Sequence, residues 1–241
     1  MKINFKQHIY DSLNKAYNNV SNLFGYQLWI KFFQMQGRHM TGQQLQHFLN
    51  NIVYDGCNYL EVGTHRGATF CAAMYRNTPN KCFTIDNFCQ FNEDGDVEEA
   101  FNKNINLIVP DLNNHTHINH DCFDIDYEKY NIKDIDIFFF DGPHSENDHN
   151  NAIERYYDIL SNESIVIIDD WAGSEVRRGT EEAINKLVAN KKIENPFYLC
   201  APEFLQSEIT NKRCVKNYKI KYGDDGEGWH NGVGIFYIKK C

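Results

Sequence analysis

Two short stretches of this sequence hold the residue types that bind cations and move protons. One is Phe138-Phe139-Phe140-Asp141-Gly142-Pro143-His144, the other Ile165-Val166-Ile167-Ile168-Asp169-Asp170-Trp171. Each is an apolar run that stops at acidic residues, the pattern of a buried strand ending at a polar edge. If the two strands are parallel neighbours, Asp141, Asp169 and Asp170 meet at one end of a sheet. Carboxylates gathered there repel each other, and in a partly dry pocket some would hold protons. A divalent cation removes that conflict, and an all-oxygen ligand set suits Mg²⁺, Mn²⁺ or Ca²⁺. Such a cation lowers the pKa of an oxygen bound to it and fixes its position. His144 could then take the released proton. A metal-free pocket competes with this reading: there Asp141 would serve a bound ligand, and His144 would only precede a helix capped by Ser145.

A second motif, Glu61-Val62-Gly63-Thr64-His65-Arg66-Gly67, follows a strand-like run and opens a helical one. Glycines at such a junction let the backbone turn tightly and approach a ligand. The dinucleotide fingerprint is not met, because His65 and Ala68 stand where its second and third glycines belong. No phosphate-binding G-K-[ST] follows either. The ligand expected is one without pyrophosphate, carrying a cation that Glu61 helps hold directly or through water. Asp86 ends the next apolar run, nineteen residues past Gly67, where a carboxylate can accept from both hydroxyls of a ribose. After the following weak strand, Asp121 could accept from an adenine amino group and the Cys122 N–H could meet the ring.

From about Asn58 to Asp170 the chain resembles the class I S-adenosylmethionine-dependent methyltransferases, and within them the branch of macrolide-sugar (macrocin-type) O-methyltransferases. The resemblance implies a Rossmann-like α/β fold: a seven-stranded, mostly parallel sheet with an antiparallel last strand and helices on both faces. It implies S-adenosylmethionine as cofactor, held by Glu61, Gly63, Thr64, Arg66, Gly67, Asp86, Asn87, Asp121, Cys122 and Asp141. It also implies a metal, Mg²⁺ by expectation, on Asp141, Asp169 and Asp170, with His144 as base beside Asp141. Pro143 departs from the polar residue that many relatives place before the histidine, which bears on acceptor geometry. The expected activity is metal-assisted O-methylation of a small polar, sugar-like hydroxyl acceptor. A metal-independent enzyme with a nitrogen acceptor, or a protein that binds the cofactor without turnover, are the alternatives.

These residues must be positioned by regular elements. Phe5, Ile9, Leu13, Ala16, Val20 and Leu23 recur at helical spacing, YQLWIKFFQM (26–35) forms a second apolar run, and Thr41 is placed to cap a helix bearing Leu45, Phe48, Leu49 and Ile52. Residues 1–54 are therefore read as a helical cap and 55–241 as the cofactor-binding domain. Strands are expected at NYLEVG, KCFTID, THINHD, DIFFFDG and SIVIIDD, alternating with helices at ATFCAAMYR, EEAFNKNI and NNAIERYYDIL. After a helix at EEAINKLVA, strands at PFYLC, VKNYKIKY and GVGIFYIKK would finish the sheet, the last beyond an Asn231-Gly232 turn. The alternation argues for a mainly parallel sheet covered on both faces.

Composition narrows the partners. With 24 basic and 33 acidic residues the net charge is −9, which disfavours nucleic acid. The D-G-P-H at 141–144 also differs from the N-P-P-Y-like motif of amino-methylating DNA enzymes. None of the eight cysteines forms C-x-x-C, and no apolar run is long enough for a signal peptide or a membrane span. The expectation is a cytoplasmic protein with free thiols and no membrane partner, with the N-terminal helices as a possible homo-oligomer surface. Arg177 and Arg178 are read as surface residues, with an anionic-acceptor site as the second choice. The acidic stretch 224–230 is read as a loop rather than a calcium site, and His115, His117 and His120 as surface or loop residues.

Overall fold

A computed structural model describes residues 3–23, 40–201 and 228–241. The second apolar run at 26–35, the strand expected at 215–222 and the acidic residues 224–227 lie outside the described residues. The elements, in order, are α1 (Phe5–Tyr17), α2 (Gln43–Ile52), β1 (Asn58–Val62), α3 (Ala68–Met74), β2 (Lys81–Ile85), α4 (Val97–Ile108), β3 (His115–Ile118), β4 (Ile135–Phe140), α5 (Glu146–Tyr156), β5 (Leu160–Ile168), α6 (Ser174–Ala189), β6 (Phe197–Ala201) and β7 (Val233–Lys239).

The strands form one seven-stranded sheet in the order β3-β2-β1-β4-β5-β7-β6. Strands β1 to β5 pair in parallel, while β7 runs antiparallel to both β5 and β6. The central strands are apolar on both faces because both are covered. Tyr59, Ile137, Phe139, Ile165, Ile167 and Ile235 point to one face, where α1, α2 and α3 pack through Ile9, Leu13, Phe48, Leu49 and Phe70. Leu60, Phe138, Phe140, Val166 and Ile168 point to the other, against Ile153 and Tyr156 of α5 and Ile184 and Leu187 of α6. This is the period-two alternation of extended chain, used to fill two layers at once. The chain order reverses at β1, which lies between β2 and β4, so the crevice beyond their carboxyl ends is where such sheets bind ligands.

Several boundaries differ from the sequence reading. Helix α1 ends at Tyr17, and Val20, expected on its apolar stripe, is 53% exposed. Thr41 does not cap α2: the N-cap is Gly42, without a side-chain hydrogen bond, and the Thr41 hydroxyl is buried with no partner among the described residues. The apolar tail of the helix expected at 150–160 leaves the helix through a single 3-10 turn, Tyr157–Ile159, and Leu160 already belongs to β5. His115 and His117 are not loop residues. They lie half-buried on β3, and their rings hydrogen-bond the Thr84 hydroxyl at 2.7 and 2.9 Å.

Candidate functional site

The sheet delivers the candidate residues to one edge by continuing its hydrogen-bond ladder past the strand ends. Gly63 N–H donates to Ile85 O, Asp86 N–H to Ile118 O, Asp141 N–H to Val62 O and Asp169 N–H to Phe140 O, at 2.9–3.2 Å. Gly63, Asp86, Asp141 and Asp169 therefore stand in a row. Gly63 has φ +83°, and a Cβ there would lie 1.8 Å from the Asp141 carbonyl oxygen. Only glycine lets the β1 loop and the β4 end approach this closely.

Within the loop the residues divide the labour. Glu61 is fully buried, and its carboxyl accepts from Tyr59 Oη at 2.6 Å and Thr69 Oγ1 at 2.7 Å. Burial pushes its pKa up to about 8 despite those two donors. Each oxygen thus accepts one bond beneath the loop, which ties β1 to α3. Arg66 pairs with Asp96 at 2.6 Å and its carbonyl accepts from Asn104 at 2.9 Å, which braces the loop against α4. Asp96 and Asn104 carried no signal in the sequence, since their partner lies some thirty residues away. A cavity of about 30 Å³ beside Gly63 has Thr41, Thr64, Arg66 and Asp141 among its lining residues. The Thr41 and Thr64 hydroxyls and Arg66 Nη1 are buried without partners among the described residues.

Asp86 holds its carboxylate ready: Oδ2 accepts from His65 N–H and Oδ1 from Phe88 N–H, each at 2.7 Å. Each oxygen keeps a lone pair for a further donor. Asn87 is exposed beside it and accepts from Cys89 N–H at 3.2 Å. Asp121 is exposed on the loop after β3, accepting from Phe123 N–H, and the Cys122 carbonyl accepts from Tyr156 Oη at 2.7 Å.

The acidic cluster has a different composition from the trio expected. One ligand atom each of Asp141, His144 and Asp170 falls within 4.8 Å of the others, with His144 Nε2 lying 2.8 Å from Asp170 Oδ2 and 3.7 Å from Asp141 Oδ1. His144 thus stands among the candidate ligands, between two carboxylates, and the neighbouring Asp141 and then Asp170 raise its pKa to about 10. Ser145 does cap α5, in a reciprocal pair with Asp148, so the cap and the histidine's approach to the aspartates coexist. Burial lifts the Asp141 carboxyl above the usual range. Burial also favours the neutral form of Asp170, but the hydrogen bonds from His144 and Asn231 hold its pKa below the usual range. Asp169 is buried beside them, its Oδ1 without a partner among the described residues; burial first, and then Asp141 and Asp170, push its pKa well up. Asp170 reaches the cluster through a left-handed backbone, φ +54°, a conformation that aspartate tolerates better than most residues.

The arginines are spoken for. Arg177 Nη1 donates to the Trp171 and Ala172 carbonyls, and Arg178 pairs with Glu146 at 2.6 Å, linking α6 to α5. Asn231, read in the sequence as a turn residue, proves to donate to Asp170 Oδ1. The seven described cysteines are free, and no described helix is long and apolar enough to cross a membrane.

Comparison with known proteins agrees with this geometry. Residues 60–171 match a family described as a methyltransferase domain. An uncharacterized protein, R132 of Acanthamoeba polyphaga mimivirus, is 26% identical over 157 residues, covering 63% of this chain and 68% of that one. Among solved structures, the O-methyltransferase from Bacillus cereus in complex with SAH is similar with a TM-score of 0.55 at 14% identity, covering 95% of this chain and 91% of that one. A proposed SAM-dependent methyltransferase from Streptococcus mutans is similar with a TM-score of 0.53 at 18% identity, over 83% of this chain but only 48% of its own. The chain spans about half the length of that structure. This chain shares the fold of these solved structures, and its residues 60–171 match a methyltransferase domain.

Proposed function

We propose that this chain binds S-adenosylmethionine on the Gly63–Gly67 loop and methylates a hydroxyl group of a small, polar, sugar-like acceptor with the help of a divalent cation. The observation that carries the reading is the abutment of Gly63 on the Asp141 backbone, which brings the loop against one member of the acidic cluster. Bound S-adenosylmethionine supplies a methyl group on a positively charged sulfur, and a bound Mg²⁺ lowers the pKa of the hydroxyl that receives it. Asp86, with both oxygens already oriented by backbone N–H groups, accepts the ribose hydroxyls. Asp121 and the Cys122 N–H serve the base, and Arg66 keeps the loop in register through Asp96. Asp141 and Asp170 would hold the cation, with Asp169 buried beside them. An Asp169 Oδ1 without a partner among the described residues and the proton-holding tendency of Asp141 fit a group of carboxyls that lacks its counter-charge. His144 takes the hydroxyl proton. Asp141 and Asp170 raise its pKa to about 10, and a cation sharing those carboxylates would weaken that hold on the proton.

That same ion pair supports a second reading, in which His144 neutralises Asp141 and Asp170 permanently and transfer proceeds without metal. The two separate cleanly. Methyl transfer from labelled S-adenosylmethionine to a panel of small hydroxylated compounds, sugars included, is measured in EDTA and again after adding Mg²⁺ or Mn²⁺. The first reading expects activity to be lost in chelator and restored by metal. Full activity in EDTA selects the second.

A further inference from the structure

Asn231 sits in the turn that enters β7, far in sequence from the acidic residues. It is buried, and its Nδ2 donates to Asp170 Oδ1. The other oxygen, Oδ2, faces His144 at 2.8 Å. The Asp170 carboxyl is thus gripped on one side and presented on the other, so its plane is fixed by Asn231. Backbone bonds lock the same two segments together: Trp171 N–H donates to Gly232 O at 3.0 Å and Ala172 N–H to Asn231 O at 2.8 Å.

The turn is in turn held from the N-terminal helices. Trp229 is fully buried, its ring 5.3 Å from that of Tyr17 in α1 and 5.9 Å from that of Phe48 in α2. Gly42, at the start of α2, comes so close that a Cβ there would lie 2.0 Å from the Gly228 carbonyl oxygen. A chain of packed contacts therefore runs from α1 and α2 through Trp229 to Asn231 and on to Asp170. The residue type also suits the task. An amide donates an N–H without adding a negative charge to a cluster that already holds three carboxyl groups.

We infer that Asn231 is a positioning residue for the acidic cluster, setting the Asp170 carboxylate for cation binding, with the N-terminal helices as its foundation. The inference rests on the metal-assisted reading above. Groups that orient a metal ligand typically contribute about 10–100-fold to metal affinity.

The test uses Mn²⁺ as the probe on the full chain, with bound Mn²⁺ read by electron paramagnetic resonance. S-adenosylhomocysteine affinity and thermal melting are measured on the same samples. Asn231→Ala is expected to bind Mn²⁺ about 10–100-fold more weakly than the parent, with S-adenosylhomocysteine affinity unchanged. Asp170→Asn is expected to lose Mn²⁺ binding. If the alanine variant does not fold, Asn231→Leu, which keeps the volume and removes the donor, is read in the same way. Parent-like Mn²⁺ affinity in a folded Asn231 variant overturns the inference and leaves the metal reading standing. Failure of the parent chain itself to bind Mn²⁺ removes the metal reading, and the positioning role with it.

Discussion

At the scale of single residues, Glu61 shows how a carboxyl in a binding motif can act on the fold. Its buried group has a pKa near 8, against an ordinary value of 4.5. Between those values the folded chain keeps a proton that the unfolded chain has released, so the site's contribution to stability is fullest below pH 4.5 and is lost as pH rises towards 8. The slope of that loss is at most about 1.4 kcal/mol per pH unit. Glu61→Gln keeps polar partners for Tyr59 and Thr69 but has nothing to titrate. Urea unfolding of both proteins at pH 5 and pH 8 should show the variant gaining on the parent as pH rises; an unchanged difference would contradict the buried, protonated Glu61. The identities of Glu61, Asp86, Asp141, Asp169, Asp170 and His144 were legible in the sequence because each sits where an apolar run stops. Their hydrogen-bond partners were not. The Tyr59 and Thr69 bonds depend on how α3 packs on β1, and the Asn231 bond joins Asp170 to a turn at the far end of the chain.

At the scale of elements, the strands were readable because both faces of the sheet are buried and only long apolar runs satisfy that. Ends were harder. Tyr156, Tyr157 and Leu160 continue a helical spacing, yet the chain uses the last of them to begin β5. Thr41 has the right residue type for a cap, but Gly42 takes that place in an extended conformation, φ −96° and ψ 158°, and Thr41 instead lines the cavity beside Gly63. The most demanding junction is that of β1 with β4. Gly63→Ala would drive a methyl group into the Asp141 carbonyl and place a side chain at φ +83°. The expected result is loss of S-adenosylhomocysteine binding together with a marked fall in melting temperature. Gly56→Ala is the control: it has the same φ of +83° but nothing within 4 Å, so it bears only the backbone strain, about 1–2 kcal/mol. Equal effects from the two substitutions would show that contact between the loop and Asp141 does not matter.

At the scale of the molecule, the N-terminal helices share a core with the central strands and reach the acidic cluster through Trp229 and Asn231. That linkage was invisible in the sequence, where the first fifty residues and the last thirteen have no common pattern. The strand order, with its reversal at β1, was not in the pattern of apolar runs either; the resemblance implied seven strands with an antiparallel last one, but not their order. The proposed methyl transfer requires this edge of the sheet to accept one particular cofactor. The most direct measurement is calorimetric titration of the full chain with S-adenosylhomocysteine and with S-adenosylmethionine, using NAD as a control and Asp86→Ala as a second sample. Saturable one-to-one binding of both adenosyl compounds, no binding of NAD and a large loss in the Asp86 variant are expected. A well-folded sample that binds neither compound would contradict the account, leaving the Gly63–Gly67 loop as an ordinary strand-to-helix turn.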